Sequence, residues 1–241
     1  MDLGTWSASM RRDATVAGEI FERSPADAAV PSCPGWTLAD LEAHLAGVFR
    51  FWVAAVERPG MERDEVRALD AQISTEPVDR YGPNLDELLS TLGGQSADAP
   101  AWTWSSDRTV GFVARRLAHE VSVHRYDAEL AIGEPRQIDA DLASDGLDEL
   151  LLQYLPRRRP TATGPVGGSV HVHCVDTDGE WMVRPVDDGL AVTREHAKGD
   201  VAARGPASDL HLTLWHRVDG STLDVIGAAD VWRRFVARLS I

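Results

Sequence analysis

"FVARRLAHEVSVHRYDAELA", residues 112–131, decides how this chain folds. With about 100° of turn per residue, Val113, Leu117, Val121, Ala128 and Ala131 fall on one stripe of a helix, its inward face. Glu120 and His124, four residues apart, sit in the middle of that stripe and not at its edge. An ionised glutamate inside an apolar stripe is costly unless something positive pairs with it. The helix ends before Gly133 and Pro135.

A third inward polar group comes from "SCPGWTLADLEAHLAGVFRFW", residues 32–52. After the Pro34–Gly35 turn, Thr37 and Asp40 have the spacing of a capping box, which starts a helix running to about Val56. His44 falls on its apolar side with Leu41, Leu45, Val48 and Trp52. Two imidazoles and one carboxylate on two helices make a plausible divalent-metal site. Three protein ligands leave one position for water or substrate, as catalytic zinc requires. Asp127, near the same face, has the position of an orienting outer partner. The plainer alternative keeps Glu120 and His124 as a buried pair and gives His44 a backbone carbonyl. His119 points off the stripe and reads as surface.

Further helices surround these two. "TWSASMRRDATVAGEIFERS" (5–24) places Trp6, Met10, Ala14, Ala17 and Phe21 on one face. "NLDELLSTLGGQ" (84–95) reads as a helix capped by Asn84 and stopped at Gly93–Gly94. The polar segment 61–83, broken by Pro77 and Pro83, reads as a long connection with partial helix. A later helix is expected at about 145–155, after which the texture changes. "RRRPTATGPVGG" (157–168) has the composition of a solvated connector between domains. Beyond it, "SVHVHCVDT" and "GEWMVRPV" alternate as strands around Asp178–Gly179, with shorter strands in "GLAVTREH" and "TLDVIGA". "SDLHLTLWHR" and "AADVWRRFVARLSI" read as helices. The order predicts an α+β chain: a helical bundle over 1–156, a linker over 157–168, and a small α+β domain over 169–241. His171 and His173 share one strand face, but with no third partner in view they read as a solvated face.

Composition limits the function. The chain has 241 residues with 44% hydrophobic and 26% charged side chains, ordinary for a globular protein. A net charge of −14 argues against general binding to nucleic acid or an anionic membrane. No apolar run approaches the roughly 20 residues of a membrane span, and "MDLGTWSASMRRD" has no signal core, so a cytoplasmic protein is expected. The two cysteines, Cys33 and Cys174, form no CxxC pair; Cys33 reads as a turn residue.

Four stretches carry a family resemblance. "VPSCPGWTLADLEAHLAG" (30–47) and "RRLAHEVSVHRYDAELA" (115–131) resemble the two metal-binding helices of the mycothiol-dependent maleylpyruvate isomerase family. "DVAARGPASDLHLTLWHR" (200–217) with "LDVIGAADVWRRF" (223–235) is similar to that family's second domain. The resemblance implies a DinB-like four-helix bundle holding one zinc ion, joined to a small α+β domain shaped like sterol carrier proteins. It places the family's ligands on His44, Glu120 and His124. It also implies mycothiol, a low-molecular-weight thiol of actinobacteria, as cosubstrate. A free thiol with pKa near ~8.5 is mostly protonated at neutral pH, and zinc deprotonates it. Addition to an activated double bond followed by elimination is isomerisation; addition alone is S-transfer. Arg217, in "LWHR", is the candidate for a substrate carboxylate, with Arg116 second, because the guanidinium fork holds both carboxylate oxygens. Monomer and homodimer remain open. A metal-dependent hydrolase and a non-catalytic metal-binding or regulatory protein are the competing readings.

Overall fold

Asp2 accepts a hydrogen bond from the Thr5 amide, and from that cap α1 (Leu3–Arg23) buries Met10, Ala14, Ala17 and Ile20 at helical spacing. The structure, a computed structural model, describes residues 1–75, 81–157, 165–187 and 189–239. Pro77 and the 158–164 part of the expected linker lie outside these residues. The chain divides into two compact units, Met1–Arg136 and Gln137–Ile241.

In the first unit α2 (Leu38–Glu57) starts at the expected capping box, with the Asp40 amide donating to Thr37 Oγ1 and the Thr37 amide to Asp40 Oδ2. Donation from the Thr37 amide and from Thr37 Oγ1 holds the exposed Asp40 carboxyl below its ordinary range. α3 (Arg63–Ile73) fills part of the expected polar connection and buries none of its residues. α4 (Tyr81–Gly93) starts earlier than the sequence suggests. Asn84 is therefore not its cap; it lies buried inside the helix and donates through Nδ2 to the Ala46 carbonyl at 3.1 Å. α5 (Val110–Ala131) is capped by Thr109. Helices α1 and α5, and α2 and α4, form the broad contacts, and α2–α5 and α1–α4 contacts complete the four-helix bundle. Phe49 meets Tyr81 in its core at 5.4 Å between ring centroids. Because α5 is buried on almost every side, His119 is not surface: it is 1% exposed.

The second unit begins earlier than the composition change implied. Arg136 is bound to Glu129 of α5, whereas the Ile138 amide donates to Ser208 Oγ in the second unit. α6 (Ala140–Glu149), continued by a π turn (Leu150–Tyr154) and a 3₁₀ turn (Leu155–Arg157), therefore belongs with the sheet and not with the bundle. Trp181 Nε1 donates to Asp148 Oδ1 at 3.1 Å, and Ser144 Oγ donates to the Asp178 carbonyl at 2.7 Å. Strands β1 (Val170–Cys174), β2 (Glu180–Val186), β3 (Gly189–Thr193), β4 (Val201–Gly205) and β5 (Asp224–Gly227) form one sheet in the order β3-β2-β1-β4-β5. Only β1 and β4 run parallel within it. The alanine-rich β4 has little strand character of its own and takes its place from pairing with β1 and β5. α7 (Ala207–Leu214) packs closely on α6: a Cβ on Gly146 would lie 2.5 Å from His211 Cε1. α8 (Ala229–Arg238) buries Val231, Trp232 and Phe235.

Candidate metal centre

The turn before α2 determines how deep His44 sits. The Val30 amide donates to the Trp36 carbonyl and the Leu38 amide to the Ala28 carbonyl, closing a short hairpin. Gly35 adopts φ +86° there, a left-handed conformation that glycine takes without strain. Beneath the turn, Ile20, Val30, Leu38, Leu41 and Ala128 form a buried cluster against which Cys33 and Trp36 pack. Two turns into α2, His44 then faces α5.

His44 Nε2 lies 3.2 Å from Glu120 Oε1, and His124 Nε2 lies 3.3 Å from the same oxygen. The two imidazole centroids are 4.8 Å apart. One ligand atom from each of the three residues lies within 4.8 Å of the others. The second carboxylate oxygen, Oε2, is ion-paired with Arg116, which is 4% exposed. Arg116 is thus engaged with Glu120, its neighbour one turn along α5.

Asp127 lies where the sequence places an orienting partner, and the chain reversal before α2 adds neighbours that the sequence does not mark. Asp127, fully buried, faces His124 Nδ1 at 2.9 Å and accepts from Ser32 Oγ at 2.6 Å. Cys33 does sit in a turn, but its thiol reaches Asp127 Oδ2 at 3.5 Å, and it groups with His124 and Asp127. Neither Ser32 nor Cys33 carries a periodic signal; only the chain reversal at 30–37 brings them to α5. Trp36 stacks at a tilt on His44, with centroids 5.2 Å apart.

The hydrogen-bond pattern asks for a proton or a cation between His124 and Glu120. A carboxylate only accepts, so the proton between His124 and Asp127 belongs on Nδ1. A neutral His124 then turns the lone pair of Nε2 toward Glu120 Oε1, and two lone pairs 3.3 Å apart need a proton or a positive ion between them. Glu120 and Asp127 against Arg116 leave one net negative charge among these groups. A cavity of about 650 Å³ opens beside the cluster, lined by His44, Trp36, Gly47 and Phe51 from the α2 side and by Asp70 and Ile73 of α3.

Arg217 belongs to the second unit. The end of α7 is closed by bonds from the His216 amide to the Thr213 carbonyl and from the Arg217 amide to the Leu212 carbonyl, a Schellman arrangement. His216 occupies the left-handed position with φ 60°, where glycine is favoured, and the Arg217 guanidinium donates to the Trp215 carbonyl at 2.8 Å. His216→Gly is expected to stabilise the second unit by about 1 kcal/mol through relief of that strain, while His216→Ala gains nothing. Urea denaturation followed by fluorescence checks this. The chain's other thiol, Cys174, is buried in the same unit, and burial pushes its pKa up to about 12, so it supplies no thiolate at neutral pH.

Among the described residues no helix is long and apolar enough to cross a membrane. A search of curated proteins finds no match to the chain. Two solved structures resemble it: the crystal structure of mycothiol-dependent maleylpyruvate isomerase, and that of a histidine-to-alanine mutant of the same enzyme. Each covers 94% of this chain and 93% of the other with a TM-score of 0.66, at 12% and 11% identity respectively. Identity that low carries the fold alone. A family model, the mycothiol maleylpyruvate isomerase N-terminal domain, matches residues 7–129, a span that holds His44, Glu120 and His124. That match extends over more than half of the sequence, and the chain belongs to this family.

Proposed function

We propose that the protein is a zinc-dependent enzyme that uses mycothiol on a small electrophilic substrate, as a cis–trans isomerase of the maleylpyruvate type or a thiol S-transferase. The observation that carries this reading is the convergence of His44, Glu120 and His124 beside a cavity that His44 itself lines. Two imidazole nitrogens and one carboxylate oxygen suit zinc, which binds such atoms at about 2.0–2.2 Å and keeps a fourth position in catalytic sites. A divalent ion held by these three residues would lower the pKa of a thiol beside it, so that thiolate would be available at neutral pH.

The chain's own residues prepare for this. Asp127 keeps His124 in the tautomer whose Nε2 lone pair faces the site. Arg116 occupies Glu120 Oε2 and leaves Oε1 toward both histidines. The net negative charge among Glu120, Asp127 and Arg116, together with one divalent ion and one thiolate, sums to neutrality. The cavity wall from Trp36, Gly47 and Phe51 offers an apolar face to the reacting double bond. The thiolate adds to the electron-poor carbon and the π pair moves onto the conjugated carbonyl as an enolate; the former double bond, now single, rotates, and collapse of the enolate expels the thiolate and restores the double bond in the trans form. Neither thiol nor substrate atoms are consumed. Arg217 is assigned to a substrate carboxylate on the chemistry of its planar fork and on the family resemblance.

The test is an assay of the purified protein with mycothiol and maleylpyruvate, beside metal analysis. Turnover is expected only with thiol and metal together, and chelation abolishes it. Arg217→Gln is expected to raise KM for the dicarboxylate by about tenfold or more with a smaller effect on kcat. A protein without stoichiometric metal overturns the reading. A metal-dependent rate that ignores thiol transfers it to the hydrolase class.

A further inference from the structure

The second unit contains a cluster that the proposed reaction does not use. His171 and His173 lie two apart on β1 and therefore share a face of the sheet. The antiparallel register sets Glu180 of β2 opposite His173. Three residues beyond the end of β3, His196 comes back onto the same carboxylate. The distances to Glu180 are 2.8 Å from His173 Nδ1, 2.6 Å from His196 Nδ1 and 3.5 Å from His171 Nε2. One ligand atom from each of the four lies within 4.8 Å of the others. The solvated face expected for His171 and His173 is corrected on both counts: His171 is 6% exposed, and the missing partners come from β2 and from the segment after β3.

We propose that His171, His173, Glu180 and His196 form a second metal site, for a divalent ion of the zinc class. Three imidazoles and a carboxylate are the donor set such ions prefer, and four protein ligands make a closed, structural site. Tetrahedral zinc with bonds of about 2.0–2.1 Å holds its ligand atoms about 3.3 Å apart, which small side-chain rotations reach from here. The independent sign is His171 Nε2, a buried nitrogen aimed at Glu180 with no hydrogen-bond partner. Leaving such a group unsatisfied is costly, and an ion at this point removes the cost.

Hydrogen bonding to Glu180 alone explains the cluster less well. If all three imidazoles were protonated, they would repel one another across centroid distances of 5.5–6.2 Å. If neutral, His173 and His196 can each donate an N–H to Glu180, but His171 Nε2 at 3.5 Å is still left without a hydrogen bond. The His196 side chain is 80% exposed, which gives an ion a path in, while His171 anchors it from below. A bound ion would tie the segment 194–200 to the sheet, and within that segment Lys198 is exposed to trypsin.

The test is Zn²⁺ titration of full-length protein stripped of metal, by calorimetry and by metal analysis after gel filtration. The H44A/H124A variant is expected to keep about one equivalent of zinc. Adding His196→Ala should weaken that binding by about 10-fold or more, at least the cost of losing an outer-shell partner, with circular dichroism unchanged. Zinc should also slow tryptic cleavage at Lys198 in H44A/H124A and not in the triple variant. A folded H44A/H124A protein that takes up no zinc, or whose zinc binding ignores both His171→Ala and His196→Ala, overturns the site. If H44A/H124A fails to fold, His196→Ala in the otherwise wild-type chain decides, since this exposed side chain is no part of the core. Its zinc content must fall by about one equivalent; an unchanged content overturns the site. A wild-type protein with only one equivalent, all of it lost in His196→Ala, would sustain this site and sink the proposed catalytic one.

Discussion

Glu120→Ala is expected to abolish metal retention at the proposed metal centre and to lower the stability of the helical unit by about 2–3 kcal/mol. Both effects follow from one carboxylate with two duties. Oε1 stands between His44 and His124, and Oε2 carries the ion pair with the buried Arg116. Removing it takes away a ligand and the nearest compensation for a buried guanidinium. Glu120→Gln keeps the shape and separates the duties: stability falls less, while metal content is still lost. In the double variant R116M/E120A the buried charge is gone as well, so part of the stability should return and none of the metal. Metal analysis and thermal denaturation of the three variants check this. Recovery of metal in the double variant would show that Glu120 is only a partner for Arg116.

Asp127→Asn is expected to weaken metal binding by about 10–100-fold while the fold stays intact. The substitution is nearly isosteric in a fully buried place. It replaces a group that only accepts with one that also donates. An amide N–H facing Nδ1 stabilises the other tautomer of His124, whose Nε2 then carries the proton and offers no lone pair to an ion. Ser32 and Cys33 keep their places through the hairpin and the packing under it, so circular dichroism should not change. The readout is zinc affinity by competition with a chelator. Unchanged affinity would mean that Asp127 serves the Ser32–Cys33 turn and not the metal.

Much of this architecture is legible in the sequence because helices announce themselves locally. Leu117, Val121 and Ala128 mark the inward side of α5, and Glu120 and His124 stand out as polar residues among them. The capping box at Thr37 and Asp40 is likewise a short-range pattern, present where the spacing places it. What escapes is set by contacts distant along the chain. The periodicity that picks out one face of α5 treats the other as solvent, yet His119 is as buried as the stripe. Asn84 has the residue type of a cap but serves the Ala46 carbonyl of a neighbouring helix. The allegiance of α6 to the sheet rests on Ser144 and Asp148 bonding to 178 and 181, which no helical pattern encodes. His171 and His173 gain Glu180 only through strand register.

One wall of the cavity differs in kind from the other. The α2 side belongs to the bundle core, whereas α3 buries none of its own residues and meets α2 closely at Gly47, where an added Cβ would stand 3.0 Å from Ile73 Cγ2. Substitutions along α3 thus reshape the pocket while touching almost none of the packing that holds His44, Glu120 and His124, whereas those along α2 are constrained by the core. Substitutions at Asp70, Ile73 and Ser74 can therefore change which molecules the pocket admits at little thermodynamic risk.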